Sequence, residues 1–154
     1  MLKYTLVPTP FFNREDSYKL LSQAVQLDEK DMAKYTELPG YEAVLVYAVS
    51  DMSDPAPAVA ALLSLSSSLS DYNKVVVSLD DDYVHIVIAA GKKLLLCNSY
   101  RSNDYVTSEY YIFAAMKKFQ INPEITTLYF DKCVPDDMRD DLFRYFQGVE
   151  VLCE

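Results

Sequence analysis

Glycine is scarce in this 154-residue sequence, which has three, and there is no tryptophan and a single histidine. Loops that cradle phosphate and turns that expose a nucleophilic serine both need glycines at fixed spacings. Neither pattern occurs in the sequence. The one histidine, His85, lies in an apolar segment without an assignable partner. A hydrogen-bonded structural histidine is therefore expected, since a catalytic site needs several groups in mutual geometry.

Cysteine and long apolar runs are also in short supply. Cys97, Cys133 and Cys153 are an odd number and lack the spacing of a metal site. They are expected to be buried or half-buried thiols in a reducing compartment. No apolar run approaches the length of a membrane span, and the first residues are too polar for a secretory signal. A cytoplasmic location without membrane contact is expected.

Basic residues are also few, since the sequence has 14 of them against 23 acidic residues and a formal net charge of −9. The acidic excess is spread over both halves of the sequence, and neither half contains a basic patch. Tight binding to a phosphate backbone needs such a patch, so nucleic acid is not an expected partner. Apolar residues make up 51% of the sequence, which is ample for a packed core.

The stretch from residue 73 to residue 154 alternates between strand and helix patterns. Three short apolar segments joined by tight turns predict an antiparallel meander. A helix, a strand, a second helix and a last strand follow, which predicts parallel crossovers on the same sheet. The seven predicted segments are residues 75–79, 83–90, 94–98, 104–119, 125–130, 135–147 and 149–152.

Turn residues and apolar stripes support this assignment. Gly91 can adopt the positive φ of a tight hairpin, Pro135 stands at the start of the second helix and Gly148 follows its end. Stripes at helical spacing are predicted to face the sheet. Their members are Tyr105, Ile112, Met116 and Phe119 on the first helix, and Met138, Leu142, Tyr145 and Phe146 on the second. A solvated acidic face is predicted for Asp136, Asp137, Asp140 and Asp141.

The pattern of residues 1–72 predicts a small α+β subdomain. It precedes a second subdomain, which comprises residues 73–154. Strands are predicted over residues 4–7 and 43–49. Helices are predicted from a cap at Asn13 to about residue 26 and over residues 54–69. The charged residues 27–34 are predicted to form turns or a loop, and residues 71–73 are the predicted junction.

Resemblance to a bacterial family rests on four stretches, namely TLVP (residues 5–8), VLVYAV (44–49), LLLCNSY (94–100) and TLYF (127–130). They resemble domain-of-unknown-function family 3822, whose members are similar to actin-like ATPases. The element order after residue 73 also resembles the ribonuclease H-like unit that the actin-like fold uses twice. The resemblance implies an α/β fold: a ribonuclease H-like mixed β-β-β-α-β-α-β sheet preceded by a small α+β subdomain. Family members carry another such half first, which implies that this chain is a portion of a longer protein.

Two nucleotide signatures of the actin-like fold are missing. In such ATPases a glycine-bearing hairpin between the first two strands of each half grips phosphate, and a Gly-Gly pair after the fourth strand binds adenosine. The hairpin here is the run DDD at residues 80–82, whose carboxylates would repel a triphosphate. Asp131 and Lys132 stand in place of the glycine pair. Both departures argue against ATP hydrolysis.

One candidate metal site can be assembled from Asp80, Glu109 and Asp131. In a ribonuclease H-like sheet the first and fourth strands are parallel neighbours, so Asp80 and Asp131 would lie at adjacent carboxyl ends. Glu109 would face that sheet from the first helix. Converging carboxylates can hold Mg²⁺ or Mn²⁺ for phosphodiester hydrolysis. The alternative is an acidic turn, a strand end and a carboxylate that reaches solvent.

Two functions remain open from the sequence. The first, favoured by the missing signatures, is a non-catalytic degenerate actin-like domain that serves as a scaffold or binds a protein partner, without a cofactor. The second is a divalent-metal phosphodiesterase that uses Asp80, Glu109 and Asp131. The acidic chain lacks the basic residues with which a nuclease would hold its substrate.

Overall fold

The computed structural model describes residues 2–152, which form eight strands and four α-helices. These residues divide into two compact units, one ending at Ala60 and the other beginning at Ala61. This boundary lies inside the second helix, whereas the sequence places the junction of its subdomains after that helix, at residues 71–73. Within residues 2–152, no helix is both long and apolar enough to cross a membrane.

The first unit contains a three-stranded antiparallel sheet on which a short helix packs. In chain order its elements are strand β1 (Tyr4–Pro8), helix α1 (Ser17–Ala24), strand β2 (Met32–Leu38) and strand β3 (Ala43–Val49). The central strand is β3, in which Leu45 pairs with Leu6 of β1 and Thr36 of β2. The buried core of this unit includes Val7, Leu21, Val44 and Val46.

Residues 27–31 form turns or a loop, as predicted, but strand β2 corrects that prediction for residues 32–34. The strand begins at Met32, and of its seven residues Leu38 alone is buried. Because most of its side chains meet solvent at the edge of the sheet, the segment MAKYTEL lacks the apolar pattern of a buried strand. The segment is a strand because it pairs with β3, and this pairing cannot be recognised from the residues of the segment alone.

Both helices predicted in the first 72 residues are shorter than expected. Helix α1 ends at Ala24, and helix α2 (Ala58–Ser68) begins four residues after the predicted start at residue 54. Pro55 and Pro57 each disfavour helical backbone at the residue before them. The Asp54 carboxylate instead accepts hydrogen bonds from the amide and hydroxyl of Ser50 and the amide of Asp51.

The second unit contains the mixed sheet that the sequence predicts. In chain order it has β4 (Asn73–Leu79), β5 (Tyr83–Ala90), β6 (Lys93–Arg101), helix α3 (Tyr105–Lys118), β7 (Thr127–Phe130), helix α4 (Asp136–Phe143) and β8 (Gly148–Val151). The spatial order in the described sheet is β6-β5-β4-β7-β8. Strands β4, β5 and β6 pair antiparallel, while β7 pairs parallel with both β4 and β8. The predicted element order and the α/β fold class are confirmed.

Side chains of the central strands alternate between two faces of this sheet. Val75 and Val77 of β4 and Phe130 of β7 lie on the face covered by α3 and α4, here called the helix-covered face. There they join a core that includes Ile112, Met116, Met138 and Leu142. On the opposite face, Val76 and Ser78 are also buried. Strand β4 is therefore buried on both faces, as its valine run predicts.

Two tyrosines in the predicted inward stripes point outward instead. Tyr105 is 40% exposed and Tyr145 is 53% exposed, whereas Ile112 and Met138 are fully buried. Tyr105 is the first residue of α3, and Tyr145 follows the end of α4. Because Tyr145 lies beyond its helix, the helical period of 3.6 residues does not set the direction of its side chain.

The described cysteines differ in exposure. Cys97 on β6 is half-buried, as expected, and burial raises the pKa of its thiol to about 12. Cys133 is exposed, because it lies in the connection between β7 and α4, which corrects the expectation of burial for this residue. Cys153 lies outside the described residues.

Gly91 turns the chain between β5 and β6 with a φ of +59°, as the sequence predicts. A Cβ at this position would lie 3.3 Å from Cε2 of Tyr72. We expect Gly91→Ala to lower the free energy of unfolding by about 1–2 kcal/mol, because L-residues are strained in the left-handed region. Urea denaturation measures this loss. Gly148→Ala is the control, since its Cβ would be no closer than 3.4 Å to Thr127, and an equal loss there would contradict the explanation.

Candidate functional site

A hydrogen-bonded chain of three side chains crosses β5 near the carboxyl end of β4. Nε2 of His85 lies 2.7 Å from Oδ2 of Asp80, and Nδ1 lies 2.7 Å from the Ser99 hydroxyl on β6. The His85 ring has partners on both nitrogens, as expected for a structural histidine. The sequence could not identify Ser99, because only the pairing of β5 with β6 sets it opposite His85.

The same three residue types form the triad of serine hydrolases, in which Nε2 faces the serine and Nδ1 faces the carboxylate. Here the two nitrogens are exchanged, because Nδ1 faces Ser99 and Nε2 faces Asp80. His85 is 1% exposed, so its ring offers a substrate almost no surface. These two hydrogen bonds connect β5 to β6 and to the hairpin residue that follows β4.

Asp80 also closes the acidic hairpin at residues 80–82. Its Oδ1 accepts hydrogen bonds from the amides of Asp82, at 3.0 Å, and Tyr83, at 2.8 Å. Burial acts to raise the pKa of Asp80, but His85 and these two amides together hold that pKa below its ordinary value. The amides of Asp82 and Tyr83 are thus already hydrogen-bonded to a carboxylate of the chain itself. They lie in the hairpin that, by the resemblance, would bind phosphate.

The structure does not bring the three predicted metal ligands together. Asp131 follows β7 beside β4, as predicted, and its amide donates to the Val77 carbonyl at 3.3 Å. Glu109, however, lies on α3 at the helix-covered face, whereas Asp80 bonds His85 on the opposite face. The sheet therefore lies between Glu109 and Asp80. Across residues 2–152, no three His, Cys, Asp or Glu side chains are arranged to hold a metal ion.

Glu109 belongs instead to a cleft of about 330 Å³ between α3 and α4. The residues lining it, here called the α3–α4 cleft, are Val106, Glu109, Tyr110, Phe113, Asp141 and Tyr145. Glu109 is 8% exposed, and its Oε1 is buried without a hydrogen-bond partner among the described residues. Burial raises the pKa of Glu109 to about 7, with further contributions from the neighbouring Asp141 side chain and its negative charge. The cleft thus contains a carboxyl group that changes charge near neutral pH.

Aromatic rings form the walls of the α3–α4 cleft. Phe113 makes an edge-to-face contact with Tyr145, with ring centroids 5.4 Å apart, and a tilted contact with Phe146 at 5.6 Å. Around these rings, Val106, Tyr110 and Tyr145 are 63%, 66% and 53% exposed. The carboxyl groups of Glu109 and Asp141 therefore have these partly exposed side chains around them.

Asp141 is the functional candidate that sequence reasoning missed. Asp136, Asp137 and Asp140 are exposed, as predicted, but Asp141 is half-buried and interacts with Glu109. A usable signal was its place on the helix, three residues after Met138 and directly before Leu142, both of which are fully buried. A position at the border of a buried stripe can face the neighbouring helix instead of solvent.

A larger open cleft of about 730 Å³ lies in the first unit. Its charged groups engage one another, since Nζ of Lys3 lies 2.6 Å from Asp31 and 3.2 Å from Asp28. Asp54, also in its wall, closes the turn after β3. The α3–α4 cleft is the stronger candidate, because it holds a buried oxygen whose hydrogen-bonding capacity is unused.

Comparison with known proteins agrees with this fold. A protein with an actin-like ATPase fold and unknown function from Bacteroides thetaiotaomicron is 19% identical and superposes with a TM-score of 0.74. The match covers 97% of this chain and 64% of that one, so the chain spans less than two thirds of the length of its structural neighbour. No curated protein matches the sequence. The family model for a protein of unknown function, DUF3822, matches residues 55–147, more than half of the chain, which therefore belongs to the DUF3822 family.

Proposed function

We propose that this DUF3822 chain is a non-catalytic interaction module, a degenerate actin-like domain that binds a protein partner through the α3–α4 cleft. The observation that carries the proposal is the exposure of Val106, Tyr110 and Tyr145 around a buried carboxyl group. Exposed apolar patches rimmed by polar groups mark sites of protein interaction. Tyrosine is also among the residues that contribute most binding energy at interfaces.

The corner that corresponds to the nucleotide site supports a role without ATP chemistry. The amides of Asp82 and Tyr83 already donate to the Asp80 carboxylate. A triphosphate would have to displace that carboxylate and approach the neighbouring acidic side chains, which would repel it.

A cytoplasmic location is part of the same proposal, and a reducing compartment suits the half-buried Cys97, whose raised pKa keeps the thiol unreactive.

Site-specific photocrosslinking in the native host tests the proposed interface. With p-benzoylphenylalanine in place of Tyr110, we expect irradiation to trap a defined protein partner, because this side chain would lie within the contact. The control places the same photoreactive residue at Tyr72, which is 72% exposed and does not line the cleft. Adducts of equal yield at both positions, or none at Tyr110, would contradict an interface at the α3–α4 cleft.

A further inference from the structure

We infer that the α3–α4 cleft receives an arginine side chain of the protein partner, with the guanidinium against the carboxyl groups of Glu109 and Asp141. The inference rests on the proposed interaction function and names the chemistry that the cleft recognises. Its first support is Oε1 of Glu109, which is buried without a hydrogen-bond partner among the described residues. An acceptor buried in this way has lost its hydrogen bonds to water, so a donor that reached it from the cleft would form a hydrogen bond otherwise lost.

The charge of the cleft selects a cation. Glu109 lies on α3 and Asp141 on α4, and both line the cleft. The neighbouring cation of the chain, Arg144, has Nη1 3.9 Å from Oδ1 of Asp141 at the limit of an ion pair. Because the Arg144 side chain is 76% exposed, it extends into solvent and leaves the buried oxygen of Glu109 unpaired. The net charge of −9 also favours the approach of a basic partner.

The walls of the cleft favour arginine over a metal ion or lysine. Two carboxyl groups are too few for a protein metal site, and no third ligand joins them among residues 2–152. A planar guanidinium stacks on aromatic rings, here those of Tyr110, Phe113 and Tyr145. Its five donors can also reach two carboxyl groups at once, whereas the ammonium of lysine is a compact and strongly hydrated charge.

Nuclear magnetic resonance titration with N-acetyl-arginine amide tests this assignment. We expect saturable shifts confined to the backbone amides of residues 106–113 and 141–145. N-acetyl-citrulline amide has the same shape without the charge, and it should give no saturable shift. N-acetyl-lysine amide should bind more weakly than the arginine probe. Equal shifts from arginine and citrulline, or tighter binding of lysine, would overturn the inference.

At pH 8, where Glu109 is about nine tenths ionised, two variants with nearly the same loss of negative charge make the test specific to the site. Glu109→Gln should weaken arginine binding at least tenfold, whereas Asp140→Asn, on the exposed side of α4, should change it less than twofold. Binding should also tighten by about tenfold from pH 6 to pH 8, because the ionised share of a group with a pKa of about 7 rises from about one tenth to about nine tenths. Undiminished binding by Glu109→Gln would overturn the inference.

The two tests fail in distinguishable ways. A partner trapped at Tyr110 by a chain that does not bind arginine would keep the interaction function and remove the arginine assignment. Saturable arginine binding without a trapped partner would have the opposite meaning, since it would establish the chemistry of the cleft and contradict the proposed interface.

Discussion

Replacing Phe130 with alanine is expected to destabilise the second unit by about 3–5 kcal/mol. Phe130 is fully buried in the core of the sheet, on the strand that pairs with both β4 and β8. Truncation of its ring removes apolar contacts and leaves a cavity that rigid neighbouring strands cannot fill. Domains are typically stable by about 5–15 kcal/mol, so the loss is a large share of the total.

Urea denaturation followed by circular dichroism measures the effect, and Phe143→Ala is the matched control. Phe143 ends α4 with 52% of its surface exposed, so the same truncation should cost less than about 1 kcal/mol. Similar losses for the two variants would show that β7 does not lie at the centre of this core.

The second large effect concerns the pH dependence of stability, which we expect Glu109→Gln to flatten between pH 5 and pH 8. Burial and the charge of Asp141 raise the pKa of Glu109 from 4.5 to about 7 in the folded chain. Between these values the folded protein holds a proton that the unfolded chain has released. Stability from this group is therefore complete below pH 4.5 and is lost as the pH rises through about 7.

The expected loss in the unmodified protein is on the order of 1–3 kcal/mol across this range, since one pKa unit corresponds to about 1.4 kcal/mol. Glutamine carries no charge and can donate its side-chain amide to the Asp141 carboxylate, so at pH 8 the variant should be the more stable protein. Differential scanning calorimetry at pH 5 and pH 8 measures the difference. At pH 8 Asp140→Asn removes nearly the same charge from an exposed side chain, and an equal gain from it would exclude the repulsion between Glu109 and Asp141 as the cause.

Local features of the sequence account for most elements of the second unit. The valine run at residues 75–77 predicts a strand covered on both faces, and Gly91 supplies the positive φ of the hairpin between β5 and β6. Pro135 directly precedes the last helix, although that helix ends at Phe143, before the Gly148 that begins β8. Each of these signals depends on the chemistry of a few adjacent residues, so it is legible without a structure.

The candidate site was only partly predictable. Glu109 stood out because it lies among apolar residues of its helix, and it is indeed buried. Its partner was wrongly sought at Asp80 and Asp131, because the side chains of a strand alternate between faces and sequence alone did not show which face α3 covers. The true neighbour, Asp141, lies on a different helix and was hidden within an ordinary acidic run.

Neighbouring residues alone account for the order of strands and helices in the second unit, for the fold class and for the absence of glycine from the hairpin at residues 80–82. The folded chain was needed to show that β2 is a strand, that Ser99 contacts His85 and that Glu109 contacts Asp141. Each of these contacts joins residues of two different strands or helices. The energy that selects them comes from pairing and burial of whole elements, to which no short segment contributes a signal of its own.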